Sequence, residues 1–250
     1  MKLLRSERLK KINSINHGFF NSLGGFSSGI YKSLNCGIGS KDNKKYVKKN
    51  LKYVAKKIGV KKIVLLHQVH GKKIFSLNKI PKKKLTGDGL ITNIKGVGIG
   101  ILTADCTPIL FFDRKKKIIG AVHAGWKGAY KKIVKKMINC FKKRGSKLND
   151  IITVIGPCIS QNSYEVKGDF KTRFLAQDPI NKKYFKKNNN KIFFDLKSYI
   201  FSQINNCGIS NIEIIKKDTF NPKNNFFSAR RSLKKKIDDY GRNISIIMIK

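Results

Sequence analysis

What the chain lacks narrows the field first. It has no apolar stretch approaching the roughly 20 residues that a membrane helix needs, and its start, MKLLRSERLKKINSINHGFF, carries no apolar run of signal length. That pattern predicts a cytoplasmic protein with no membrane partner. The five cysteines, Cys36, Cys106, Cys140, Cys158 and Cys207, are odd in number and include no CxxC pair, poor material for a disulfide framework. A reducing compartment fits them. There is no GxxxxGK[ST] and no strand-linked GxGxxG, which disfavours a nucleoside triphosphatase or a Rossmann dehydrogenase. No proline- or serine-rich linker and no internal repeat divides the 250 residues, so a single domain spanning 1–250 is expected.

Acidic residues are scarce as well: 14 Asp and Glu stand against 55 Lys and Arg, a formal charge of +41. Such a balance points towards nucleic acid, because clustered cations release counterions from a phosphate backbone. Its distribution argues otherwise. Lysine outnumbers arginine 47 to 8 and recurs in nearly every segment, whereas a recognition surface favours local clusters with Arg for bidentate phosphate contacts. With Asn and Ile also abundant, the excess reads as codon bias of an AT-rich genome. No specific nucleic-acid partner is expected, only non-specific polyanion binding at low salt.

What is present is a mixed α/β pattern. Val47, Leu51, Val54 and Ile58 recur at helical spacing, with Asp42 upstream and Gly59 as a stop. Ile133, Val134, Met137, Ile138 and Phe141 share the face of one helix running from Lys127 to Gly145. Asp195 caps a third helix that turns Leu196, Ile200 and Ile204 inward and ends at Gly208. Between them lie strand-like runs: KIVLLHQVHG, GVGIGILTAD, PILFFD, KIIGAVHAG, DIITVIG, IEIIKK and NISIIMI. Several are apolar throughout, as expected of strands covered on both faces, with helices outside. The polar segment 178–192 reads as a mobile surface loop.

The chemistry concentrates in His70 of HQVHG, Cys106 of TADC and His123 of AVHAGW. Each lies at or near a strand end beside glycine or another small residue, where a pocket can open. Two imidazoles and a thiolate match a catalytic zinc site, which takes three protein ligands and leaves a position open. Their wide spacing requires them to converge from separate strands. His67, three residues from His70, would point to the opposite face of a strand, and Gly71 favours His70 as the one that faces the pocket. A metal-free reading uses Cys106 and His123 as a thiolate–imidazolium pair for nucleophilic hydrolysis. Trp126 and Lys127 either hold a substrate ring and a phosphate or pack under the helix. Arg230 and Arg231 either bind an anion or pair with Asp88, Asp105 or Asp113. Two glycine-marked turns near the start expose Ser27, Asn35 and Asp42 for hydrogen bonding.

In order along the chain, HGFFNSLGGFSSGIYKSLNCGIGSKDN, QVHG, DGLITN, TADCTPILFFD, AVHAGWKG, IGPCISQNSYEV, FFSARRS and GRNISIIMI resemble the bacterial YfiH and YlmD proteins and their animal relative FAMIN. The likeness runs from about His17 to Ile249. It implies a single-domain α/β (α+β) sandwich of mixed sheets flanked by helices, with His70, Cys106 and His123 matching the family's metal ligands. It also implies a zinc enzyme acting on purine nucleosides and phosphate: phosphorolysis of adenosine, inosine, guanosine and methylthioadenosine, and deamination of adenosine. Lys127, Arg230, Arg231 and Asn35 are the candidate substrate contacts, and a monomer is expected. Other activities attached to the family are peptidoglycan editing, which would use Cys106 and His123 as an amide hydrolase, and a copper polyphenol oxidase. Copper is disfavoured because the chain has only four histidines, too few for a mononuclear and a trinuclear copper centre. Three positions depart from the family pattern: Leu23 replaces an arginine, Asp218 a cysteine and Ala229 a tyrosine.

Overall fold

Along the run Thr107–Asp113, Leu110 and Phe112 turn to one apolar layer while Ile109 and Phe111 turn to another. This is the two-residue period of a strand, and it explains why the run is apolar throughout: both of its faces are covered. The computed structural model describes residues 3–250. Its strands are β1 (Leu3–Leu4), β2 (Ile15–Phe20), β3 (Lys62–Val64), β4 (Ile74–Leu77), β5 (Gly89–Thr92), β6 (Val97–Thr103), β7 (Thr107–Asp113), β8 (Ile118–Ala124), β9 (Ile151–Ile155), β10 (Glu165–Val166), β11 (Phe185–Asn188), β12 (Lys191–Phe194), β13 (Ile212–Ile214) and β14 (Asn243–Ile249). Its α-helices are α1 (Lys44–Ile58), α2 (Trp126–Tyr130), α3 (Ile133–Lys143), α4 (Gly168–Gln177), α5 (Leu196–Asn205) and α6 (Ala229–Lys234).

A six-stranded sheet, β13-β9-β7-β8-β5-β4, faces a five-stranded one, β1-β2-β14-β6-β3. Leu110, Phe112, Ile119, Ile99 and Ile247 fill the space between them. Outside the five-stranded sheet, Val54 and Ile58 of α1 pack on Ile244, Ile246 and Met248. Outside the six-stranded sheet, α3 and α5 bring in Met137, Phe141, Ile200 and Ile204. The fold is the expected sandwich of mixed sheets flanked by helices.

Local chemistry explains the helix ends. Asn43, one residue beyond the expected Asp42, caps α1 by accepting the Lys45 N–H, and Gly59 ends it at φ 78°, a left-handed conformation that costs glycine nothing. Asp195 caps α5 through the Ser198 N–H.

Three expectations are corrected. The single helix from Lys127 to Gly145 is two, because Lys132 turns left-handed at φ 62° between α2 and α3; side-chain amides of Gln203 and Gln177 take the carbonyls of Ala129 and Tyr130 there. Segment 178–192 is a 3-10 turn followed by β11 and the first half of β12, not a mobile loop. Burial of Tyr184 and of Phe194, at the end of that hairpin, is worth roughly 1.5–3 kcal/mol per large apolar side chain, which offsets the ordering of the polar residues around them. The strand expected through residue 71 stops at Val64, and the chain from Leu65 to Lys73 is loop apart from one bridge, His67 to Thr86. Among the described residues, no helix is long and apolar enough to cross a membrane.

Candidate metal centre

Strand parity sends one group of polar side chains into the layer between the sheets. On β8, Ile119 and Ala121 face that layer and Val122 faces the helices, so His123, two residues beyond Ala121, faces inward between the sheets. Asp88 precedes β5 and continues its ladder with β8, its carbonyl accepting the His123 N–H at 2.8 Å. By the same alternation it points with Leu90 into the inner layer. Cys106 precedes β7, opposite Gly125 in the β7–β8 register. His70 arrives on the loop after β3. That loop is held by Gln68, whose side-chain amide bonds both the N–H and the C=O of Leu102 at 2.8 and 2.7 Å, taking the place of a strand neighbour to β6.

The ligating atoms of His70, Cys106 and His123 lie within 4.8 Å of one another, and Cys106 Sγ stands 3.7 Å from His70 Nε2. The expected trio is therefore assembled. Zinc bonds run at about 2.0–2.1 Å to nitrogen and about 2.3 Å to sulfur, so small rotamer adjustments bring all three onto one ion. Two further features fit a metal. His123 Nδ1 lies 2.8 Å from Asp88 Oδ1, which fixes the tautomer and leaves Nε2 as donor to an ion. A Cβ at Gly125 would lie 2.8 Å from Cys106 Sγ and 2.9 Å from His70 Cδ2, so glycine keeps the space at the ligands clear.

Asp88 is the organising group. Fully buried, it accepts the backbone N–H groups of His70 at 2.9 Å, Gly71 at 2.7 Å and Val69 at 3.4 Å, as well as the imidazole. These bonds hold His70 at φ 56°, left-handed backbone that a non-glycine residue adopts only when its surroundings impose it. Burial alone would raise the Asp88 pKa, but the His123 hydrogen bond and the Gly71 N–H keep it below the usual carboxylate range. Burial would likewise raise the Cys106 thiol, and the charge and hydrogen bond of His123, with His70, pull it down instead. His123 moves up in turn, because Cys106 and Asp88 together outweigh its burial.

Two clefts meet at the trio. One, of about 260 Å³, is lined by His67, Gln68, His70, Cys106, His123 and Arg242 among others. The second, of about 320 Å³, is lined by His70, Cys106, Trp126, Tyr164 and Arg230, and Tyr240 borders both. His67 thus shares the cleft with His70; the opposite-face argument fails because the two lie on a loop, without strand alternation.

The other expected contacts divide. Arg230 reaches the second cleft, its guanidinium 5.4 Å from the Tyr164 ring centre and donating to the Glu165 carbonyl. Trp126 lines that cleft and packs edge-on against Phe170. Arg231 is structural: its guanidinium donates to the carbonyls of Thr219, Phe220 and Phe226. Neither arginine pairs with a carboxylate side chain; Asp105 instead accepts from the Arg230 backbone N–H, Thr219 and Ser228. Lys127 is exposed on α2 over the Trp126 ring and lines neither cleft. Asn35 is fully buried and bonds Ser40, Asp42, Gly37 and Arg242; it shapes the turn whose Gly37 and Ile38 line the first cleft. Leu23 is exposed, and Asp218 accepts from Ser160, Ser163 and Phe220, outside the trio.

Sequence reasoning missed the roles of Asp88, Gln68, Tyr164 and Tyr240. Asp88 had a signal, an acidic residue between two glycines at the start of a strand. Tyr240 had none, because it reaches the site from the far end of the chain.

A family model described as multi-copper polyphenol oxidoreductase laccase matches residues 16–250. The chain belongs to this YfiH/YlmD family. The member from Rickettsia conorii, named purine nucleoside phosphorylase, is 33% identical over 211 residues, covering 83% of this chain and 87% of its own. The Escherichia coli protein, named purine nucleoside phosphorylase YfiH, is 31% identical, covering 84% and 85%. Among solved structures of YfiH/YlmD proteins, YfiH of Bacillus licheniformis superposes with a TM-score of 0.89 at 28% identity, covering 99% and 96%. YlmD of Geobacillus stearothermophilus gives 0.87 at 26%, covering 95% and 93%.

Proposed function

We propose that the chain is a zinc-dependent purine nucleoside enzyme that carries out phosphorolysis and, in the same clefts, deaminates adenosine. One observation carries this reading: the His70, Cys106 and His123 donors, with His123 oriented by a buried carboxylate, meet where two open clefts join. The names of the relatives supply the substrate class. A zinc ion held by this trio supplies a Lewis acid and a source of hydroxide at neutral pH.

The chain's own residues do the rest. Trp126 and Tyr164 offer flat apolar surface against which a purine can lie. Arg230 beside them supplies a fixed cation for phosphate. In phosphorolysis a phosphate oxygen bonds to the ribose C1′ as the C1′–N9 bond breaks, and the base leaves with that electron pair and takes up a proton. Tyr240, bordering both clefts, is placed to donate a hydrogen bond to the departing base. In deamination, water adds at C6 and ammonia leaves.

A copper oxidase is a poorer fit. His17 and His67 lie outside the donor trio, so no second, histidine-rich copper cluster can form.

A second reading draws on the Asp88, His123, Cys106 relay. A thiolate beside an oriented imidazolium can attack an amide carbonyl, with His123 protonating the departing amine and water then cleaving the Cys106 thioester to release the acid, as in a cell-wall editing hydrolase. The deciding experiment is chromatography of purified protein incubated with adenosine and phosphate, with and without a strong zinc chelator. Chelator-sensitive adenine signals phosphorolysis and chelator-sensitive inosine signals deamination. No product from folded, zinc-loaded protein would reject the nucleoside reading, and amide hydrolysis by zinc-free protein that alkylation of Cys106 abolishes would favour the second.

A further inference from the structure

Asp105 stands between the end of β6 at Thr103 and the ligand Cys106, and its backbone is left-handed at φ 86°. Glycine takes this conformation at no cost, and aspartate tolerates it chiefly where its short side chain bonds its own neighbouring backbone. Here none of the side-chain bonds is local. The carboxylate, 8% exposed, accepts the Thr219 hydroxyl at 2.7 Å through one oxygen, and the Ser228 hydroxyl at 2.9 Å and the Arg230 N–H at 2.7 Å through the other. These partners lie 114, 123 and 125 residues further along the chain. The Asp105 carbonyl accepts the Ile159 N–H at 3.0 Å. A buried carboxylate is costly to desolvate, and among the described residues no cationic side chain is ion-paired to this one. Its reason lies in what it joins.

One end of the join is a metal ligand, since any turn of the Asp105 backbone re-aims Cys106 one residue later. The other is the cation of the second cleft: Ser228 caps α6 and Arg230 follows it, so their bonds to Asp105 set where the guanidinium lies beside Tyr164. Asp88 joins the two histidines in a similar way. We propose that Asp105 is a positioning residue that locks Cys106 and Arg230 into one unit, so that metal seating and phosphate binding are coupled through the protein. The coupling is reciprocal by linkage, metal tightening phosphate binding and phosphate tightening metal binding by the same factor. This inference rests on the reading of Arg230 as the phosphate cation.

Asp105→Gly tests it, because glycine keeps the left-handed backbone and removes only the carboxylate. Asp105→Asn is the conservative rescue: its amide can still accept from Ser228 and Arg230 while donating to the Thr219 oxygen. Two equilibrium readouts apply to each. The thiolate-to-cobalt absorption of Co²⁺-loaded protein reports the Cys106 bond, and equilibrium dialysis gives the affinity for inorganic phosphate with and without metal. Asp105→Gly is expected to shift or weaken the cobalt band, lower phosphate affinity at least about fivefold, and lose most of the gain in phosphate affinity that metal gives the parent. Asp105→Asn should restore all three to within about twofold. Folded Asp105→Gly with an unchanged cobalt band overturns the proposal. So does one in which metal still tightens phosphate binding as in the parent, since phosphate would then bond the metal directly. If Asp105→Gly does not fold, Ser228→Ala decides: loss of a helix cap alone weakens phosphate binding and leaves the cobalt band as it is, whereas the proposal requires both to change. A parent protein that binds no phosphate, metal-loaded or not, is the distinct signature of failure of the phosphorolysis reading, and the coupling falls with it.

Discussion

His17 and His123 are both almost fully buried, at 1% and 3% exposure, and both face the layer between the sheets. Their states are opposite. His17 on β2 accepts the Ser6 N–H at Nε2, and burial, reinforced by the Arg5 charge, lowers its pKa to about 4. His123 on β8 donates to Asp88 and adjoins the Cys106 sulfur, and these partners outweigh a comparable burial penalty. Burial sets the cost of the charge for both, and the partner decides whether it is met. A histidine given only a donor stays neutral and structural, whereas one given a carboxylate and a thiolate at the edge of a cleft becomes a reactive group.

The largest expected effect comes from removing the reactive side of this contrast. His123→Ala or Cys106→Ser should lose bound metal, read by elemental analysis, and at least about 100-fold in nucleoside turnover. His17→Gln should keep both within about twofold; a metal-free, inactive His17→Gln would erase the distinction between the two histidines.

The structural histidine should appear instead in acid. Its folded pKa of about 4 lies below the unfolded value of 6.5, so between these pH values the unfolded state binds more protons and stability falls as pH falls. His17 costs nothing above about pH 6.5 and takes away about 3 kcal/mol by pH 4. Denaturant melts across that window should show this slope in the parent and a flatter one in His17→Gln.

Asp88→Asn keeps the shape of the partner and removes its charge. Metal affinity should weaken by about 10–100-fold, read by competition with a chromophoric chelator. Unchanged affinity would mean that Asp88 serves only to hold the loop at Val69–Gly71.

The smallest contrast separates two cations that looked alike in the sequence. Arg230→Ala should raise the KM for phosphate several-fold, while exposed Lys127→Ala should change turnover by less than about twofold. Equal effects would place Lys127 at the substrate after all.

Sequence alone specified the covered strands, the three apolar helix faces, and His70, Cys106 and His123 as residues to watch, because hydrophobic period and ligand chemistry are local properties. It also carried Asp88 in plain view between two glycines without revealing its role. That role depends on β5 lying beside β8 and on a loop 17–19 residues earlier in the chain folding over the carboxylate. Asn35 and Arg231 looked functional because one lies in a glycine-marked turn and the other is an arginine in a chain that has few; only the folded chain shows their hydrogen bonds already used by neighbouring backbone and side chains. His67 was assigned the wrong face because strand alternation was applied to a stretch held by the Gln68 side chain instead of by a ladder. The sequence by itself determined which side chains had the chemistry to act. Tertiary structure decided which of them meet, because bringing β3's loop, β5, β7 and β8 together joins residues far apart in the chain, and that proximity is set by how the two sheets pack.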